Sequence, residues 1–118
     1  MRLGIDLEEN DRIARAMRRP RVCRTVLGDA ENRLLERRGF PVGSVAASWC
    51  AKEALGKALG TGVRGFSLRE VELLRAENGA PYLQLSGRAA EIAAGVRFSV
   101  SVTHTRAYTS VIVIGEAE

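Results

Sequence analysis

A single α+β domain, an antiparallel sheet packed with a long central helix, is predicted by three features of this chain. Phe98, Val100 and Val102 alternate with Ser99, Ser101 and Thr103, the period of a half-buried strand. Asn78-Gly79 is a strong hairpin signal, because both residues tolerate the left-handed backbone of a tight turn. Residues 44–59 are rich in helix formers, and Gly60-Thr61-Gly62 stops that helix in a loop where backbone amides are expected to lie open.

The remaining elements follow in order. Residues 2–7, carrying Gly4 and Asp6, read as a short strand. Ile13, Ala16 and Met17 recur at helical spacing, which predicts a helix over 9–18 ended by Pro20. Asp29 is placed to N-cap a second helix bearing Leu34 and Leu35, with Gly39 as its stop. Ser44 is placed to cap the third and longest helix. Phe66, Leu68, Val71 and Leu73 suggest an extended segment, and Asn78-Gly79 leads into a strand at 81–85. A short helix begins at Ser86 or Gly87 and ends at Gly95. After the alternating strand, residues 106–109 turn into a last apolar strand through Val111, Ile112, Val113 and Ile114. No linker, repeat or low-complexity segment interrupts this order, so residues 1–118 are expected to form one domain with a modest core.

Composition narrows the function. No apolar run is long enough for a membrane span and the start does not resemble a secretory signal, so a cytoplasmic location is expected. Cys23 and Cys50 have no metal-ligand spacing, and His104 is the only histidine, which argues against a His-rich zinc site. Cys50 lies in an Ala-rich helix and is expected to be a small buried residue. Sparse aromatics argue against a base-stacking platform. Net charge is +4, and Arg12, Arg15, Arg18, Arg19, Arg21 and Arg24 share a window without acidic residues between Asp11 and Asp29. Such a patch suits an acidic partner. Nucleic acid is the other anionic candidate, but no recognition-helix or RNA-module signature supports it.

The chemistry concentrates in residues 49–62. Glu53 and Lys57 are four apart and share a helical face, just before the glycine-bounded loop. A carboxylate, an ammonium and such a loop suit a phosphate-handling site; an exposed ion pair with an ordinary C-cap is the plain alternative. Asp6 ends a strand just after Gly4, and either serves a site or caps the next helix. His104 closes the alternating strand between Thr103 and Thr105, as a site residue or a hydrogen-bonded strand end. Asp6 and Glu53 together would give Mg²⁺ the one or two carboxylates it typically takes, with Lys57 neutralising charge on a departing phosphate.

Four segments resemble the holo-acyl-carrier-protein synthases, the small single-domain 4′-phosphopantetheinyl transferases. Gly4-Ile5-Asp6-Leu7-Glu8-Glu9-Asn10-Asp11-Arg12-Ile13 is similar to their Gly-x-Asp-Ile-x-Glu-x-x-Arg-Ile signature, and Trp49 to Gly62 to their Ala-Ala-Lys-Glu-Ala…Gly-Thr-Gly helix and loop. Asn78-Gly79-Ala80-Pro81-Tyr82 resembles their Asn-Gly-x-Pro hairpin, and Ser99 to Thr105 their closing Val-Ser-x-(Ser/Thr)-His-(Thr/Ser) strand. The matches come in family order and cover nearly the whole chain. The resemblance implies transfer of 4′-phosphopantetheine from coenzyme A to a serine of an apo acyl-carrier protein, releasing adenosine 3′,5′-bisphosphate. It implies Mg²⁺ on Asp6 and Glu53, and Lys57 against the pyrophosphate. It further implies a coenzyme A pocket lined by Gly60, Thr61, Gly62, Pro81, His104 and Thr105, and carrier contacts at Arg12 and Arg19. A homotrimer with sites between subunits is implied as well. The proton acceptor stays open between a water or hydroxide on the metal and a carboxylate such as Glu53. The carrier stays open between fatty-acid and polyketide synthesis.

This chain departs from the family pattern at three places. Glu8 and Asn10 stand where the family often has apolar residues, so the first strand is expected to end early or to present a solvated face. Ser48 stands where many members carry an arginine that holds nucleotide phosphates, an interaction often bidentate. Leu27-Gly28-Asp29 replaces a Leu-Thr-x-x-Glu helix start. Ser48 is the ground for a second reading, a non-catalytic carrier-binding relative of the same fold.

Overall fold

The computed structural model describes residues 1–118 and places one helix, α4 (Val42–Leu59), at the centre. Before it come β1 (Arg2–Glu9), α1 (Asn10–Met17), α2 (Pro20–Val26) and α3 (Asp29–Arg37). After it, 3-10 turns at Gly62–Gly65 and Leu68–Glu70 lead into β2 (Val71–Arg75) and β3 (Pro81–Leu85). The chain closes with α5 (Gly87–Ile92), β4 (Val96–His104) and β5 (Tyr108–Ala117). β1, β5 and β4 form an antiparallel sheet in that order, and β2 pairs with β3 in a separate hairpin. The expected α+β class with a long central helix is what the chain adopts.

The alanines of α4 explain its position. Ala47, Ala51, Ala54 and Ala58 are short enough to let the helix approach both sheets, and with Cys50, Leu55, Val71, Leu73, Val111 and Val113 they make the main core. A second cluster on the other side of the helix joins Val45 and Ala46 to Ile13, Val26, Leu27 and Leu35. A helix buried on nearly all sides is apolar all round rather than striped. Cys50 is fully buried, as expected.

Several expected boundaries moved, each for a local reason. The first helix stops at Met17, close to the expected end, but Pro20 also starts an unforeseen helix, α2, at the first helical position, where its missing N–H costs nothing. Gly28, not Asp29, is the N-cap of α3, and its amide donates to the Glu31 carboxylate at 3.2 Å. α4 begins at Val42 behind Pro41, so Ser44 lies inside the helix. Only Val71–Arg75 of the expected extended segment is strand, because Glu70 accepts from the Ser67 amide and folds Leu68–Glu70 into a turn. The same carboxylate receives the Arg88 and Ala89 amides and so caps α5. β1 does not end early: it runs through Glu9, β4 through His104, and β5 extends well beyond the four residues foreseen.

Candidate active site

Gly4 sets the geometry of the site. A methyl group added there would lie 1.8 Å from the carbonyl oxygen of Ala54, so only glycine lets β1 touch α4. That contact brings Asp6, two residues on and on the same strand face, beside the helix face of Glu53 and Lys57. Lys57 Nζ donates to Asp6 Oδ1 at 3.2 Å and to the Ile5 carbonyl at 2.9 Å. An ammonium has three N–H donors, so one remains for a ligand. The lysine is 54% exposed while Asp6 is only 11% exposed. A shallow groove of about 430 Å³ opens here, lined by Ile5, Asp6, Leu7, Lys57 and Ser110.

The carboxylates are close enough to feel one another. Burial first, and then the Asp6 charge, raise Glu53 above the ordinary carboxylate range, against the pull of Lys57. Glu8, one strand alternation beyond Asp6, is raised for the same two reasons, with the Trp49 bond acting in the opposite direction. Asp6 Oδ2 is buried and has no hydrogen-bond partner. An unpartnered buried carboxylate oxygen beside a second carboxylate is costly unless a cation completes it. The donor set is hard and oxygen-only, which fits Mg²⁺ rather than a thiophilic metal. No group of three or more His, Cys, Asp or Glu residues gathers for a metal ion, so any such ion would keep most of its shell for water and ligand oxygens.

The loop after Lys57 differs from expectation. Gly60 adopts the left-handed C-cap conformation, but its amide donates to Lys57 O, and the Thr61 amide donates to Gly56 O. Those two amides close the helix and are not open to a ligand. Asp6 does not cap the next helix either, since Glu9 is the N-cap residue of α1.

His104, Thr105 and Pro81 lie elsewhere. His104 sits against Gly43 in the first turn of α4, whereas Glu53 and Lys57 lie in its later turns. Gly43 and Glu53 are ten residues apart, or about 15 Å along the helix. Burial and the nearby Arg75 charge hold His104 below its ordinary value. Pro81 opens β3 opposite Arg75, and Thr105 Oγ1 accepts from the Tyr108 amide to close the β4–β5 turn. One chain therefore brings Asp6, Glu53 and Lys57 together but leaves the His104 group at the other end of the helix.

Arg12 and Arg19 are exposed, as are Arg15, Arg18, Arg21 and Arg24. Between α1, α2 and α4 lies a cavity of about 220 Å³ lined by Ala14, Met17, Arg18, Cys23, Phe40 and Val42, with Val45 at its base. Ser48 is buried in α4.

Sequence reasoning missed four residues. Glu8 accepts from Trp49 Nε1 at 3.2 Å and from Arg12 at 3.4 Å, so its strand face is not solvated. Asn10 is buried rather than solvated, and with Thr109 it reaches the His104 ring. Lys52, wholly buried, donates to Glu31 Oε1 at 2.7 Å and to the Val71 carbonyl. Its position among Ala51 and Leu55 was the available signal.

Comparison with known proteins bears on the family and the fold. The family model of the 4′-phosphopantetheinyl transferase superfamily matches residues 2–109. A holo-[acyl-carrier-protein] synthase of Caldanaerobacter subterraneus subsp. tengcongensis is 34% identical over 95% of this chain and 91% of its own length. The crystal structure of the holo-[acyl-carrier-protein] synthase of Neisseria meningitidis has a TM-score of 0.89 at 26% identity, covering 98% of this chain and 97% of its own. The ACPS–CoA complex of Chronobacterium ammoniagenes has a TM-score of 0.84 at 25% identity, covering 99% of this chain and 97% of its own. With most of both chains aligned and the motif residues gathered around Gly4, this chain belongs to the 4′-phosphopantetheinyl transferase superfamily, in its holo-acyl-carrier-protein synthase branch.

Proposed function

We propose that this chain transfers 4′-phosphopantetheine from coenzyme A to a serine hydroxyl of an apo acyl-carrier protein, with Mg²⁺ held by Asp6 and Glu53. The serine hydroxyl gives its proton to a water or hydroxide or to a carboxylate such as Glu53, and its oxygen forms a bond to the phosphorus bearing pantetheine. The bond from that phosphorus to the bridging oxygen breaks, and adenosine 3′,5′-bisphosphate departs. The observation that carries this reading is the buried, unpartnered Asp6 Oδ2 beside Glu53, with the Lys57 ammonium 3.2 Å from the other Asp6 oxygen. A bound Mg²⁺ supplies charge neutralisation at the pyrophosphate. Lys57, fixed by Ile5 O and Asp6, offers its third N–H to a pyrophosphate oxygen and stabilises charge as the leaving group departs.

The partner assignments rest on surface chemistry. Arg18 lines an apolar cavity, and Arg12, Arg15, Arg19, Arg21 and Arg24 are exposed on the same stretch of chain, which suits an acidic helical carrier presenting one apolar side chain. Arg12 and Arg19 are assigned to that contact. Leu3, Ile5 and Leu7 are 55%, 56% and 62% exposed on the sheet face turned away from α4. With Ile112 and Ile114 opposite them, they form an apolar strip that a monomer would leave wet. Covering that face with further copies, as a homotrimer, supplies the His104, Thr105 and Pro81 edge of one subunit to the Asp6, Glu53 and Lys57 end of another. Gly60, Thr61 and Gly62 are assigned to coenzyme A through close backbone approach rather than through open amides. No helix is long and apolar enough to cross a membrane, and we assign the chain to the cytoplasm with its carrier.

The test is intact-mass spectrometry of apo acyl-carrier protein incubated with this chain, coenzyme A and Mg²⁺. A gain of one phosphopantetheine, lost with EDTA and with Glu53→Gln, is expected. No gain on several carriers from a folded protein would leave the non-catalytic carrier-binding reading, which the buried Ser48 favours by removing a phosphate-binding arginine.

A further inference from the structure

A line of hydrogen bonds with only one possible direction runs from the β4–β5 turn to the ring of His104. Backbone carbonyls only accept. The Asn10 side chain lies 3.3 Å from Thr105 O and 3.0 Å from Arg106 O, so its amide nitrogen must face them. That leaves Asn10 Oδ1, which also only accepts, 2.7 Å from Thr109 Oγ1. The Thr109 hydroxyl therefore spends its single proton on Asn10. It has only lone pairs left for His104 Nδ1, which lies 2.8 Å away. Nδ1 must carry the proton.

We propose that Asn10 and Thr109 are positioning residues that lock His104 as the Nδ1–H tautomer, leaving Nε2 as a bare hydrogen-bond acceptor. The lock is rigid because both residues are buried and every polar atom along it is satisfied. Backbone contacts hold both residues: the Asn10 main-chain N–H donates to Ala107 O at 2.8 Å, and Cys50 Sγ donates to Thr109 O at 3.4 Å. Gly43 leaves room for the ring, since a methyl group there would stand 3.3 Å from Nδ1. Burial and the nearby Arg75 charge oppose an imidazolium, as does the positive first turn of α4, so the neutral ring is favoured. In that form Nε2 selects a hydrogen-bond donor, such as a hydroxyl or amine of the nucleoside half of coenzyme A, over a phosphate oxygen. That selection rests on the placement of His104 in the coenzyme A pocket; the tautomer does not.

Because His104 is the only histidine, nitrogen-15 NMR of the labelled full-length chain gives one unambiguous pair of ring signals. The expected wild-type spectrum is Nδ1 protonated and Nε2 bare at pH 8. Thr109→Val should shift the ring towards Nε2–H or a mixture, and Thr109→Ser should restore the wild-type pattern. The same Thr109→Val change should raise the KM for coenzyme A about fivefold with kcat unchanged, the worth of one neutral hydrogen bond. An Nε2–H ring in the wild type overturns the proposal even if no variant folds. So does an unchanged ring in folded Thr109→Val. The predicted tautomer in a chain that transfers nothing would uphold the lock and refute the coenzyme A reading.

Discussion

Lys52 and Lys57 stand five residues apart on the same helix, each paired with a carboxylate, and they have opposite uses. Lys52 and Glu31 are completely buried, 2.7 Å apart, and both carboxylate oxygens are engaged, Oε1 also by the Gly28 amide at 3.2 Å and Oε2 by the Leu73 amide at 2.9 Å. This pair ties α3, α4 and β2 together. Each ammonium makes two hydrogen bonds, but Lys57 is half-exposed and Asp6 leaves one carboxylate oxygen unpartnered, at the mouth of a groove. A closed ion pair holds a fold; an open one is held by the fold and is ready for a ligand. The two differ in how completely the carboxylate is satisfied and how far the ammonium reaches solvent, which no distance between the charges would reveal.

The largest effect that separates them is on stability. Lys52→Ala leaves Glu31 buried without its charge partner and should cost about 3–5 kcal/mol in urea unfolding. Replacing both members, Lys52→Met with Glu31→Gln, should recover part of that loss, because the desolvation of both charges disappears while a side-chain carbonyl remains to accept an amide. Lys57→Ala should change stability by less than about 1 kcal/mol, since its partner sits beneath a half-exposed ammonium. Its transfer rate should instead fall about a hundredfold, in proportion to a lost charge contact in the transition state.

Gly4→Ala attacks the open pair from below. The added methyl cannot fit against Ala54, so β1 must move from α4, at about 1–3 kcal/mol of stability. The displacement separates Asp6 from Glu53 and should abolish transfer in a chain that still folds.

The smallest effect is on pH dependence. Burial and Asp6 make Glu53 bind its proton more tightly in the folded chain than in the unfolded one. Stability therefore falls as pH rises from the ordinary value of 4.5 through the raised folded value, with the sign opposite to that of a salt-bridged carboxylate. Without divalent ions, Glu53→Gln should flatten that decline and leave the chain slightly more stable than the parent above it, as read from melting temperature against pH.

The same comparison marks where the sequence was legible. Glu53 and Lys57 at helical spacing, and Asp6 two residues past a glycine, could be read because local periodicity fixes them. Their meeting required the Gly4–Ala54 contact, which joins residues fifty apart and has no local signature. Lys52 was passed over because a lysine in a helix is normally solvated, and its partner Glu31 lies in another helix. α2 was missed because Pro20, read only as the end of one helix, also begins the next. The Asn10–Thr109–His104 line joins residues ninety-nine positions apart and was beyond any pattern along the chain.

The most direct test of the open pair is a Mg²⁺ titration followed by calorimetric melting of the wild type and of Glu53→Gln. An ion that completes Asp6 and Glu53 binds the folded chain alone, so the wild type should gain about 2.7 kcal/mol at a hundred times the Kd. Glu53→Gln should lose most of that gain while keeping its fold. An equal gain in both, or none in the wild type, would contradict a cation site between β1 and α4.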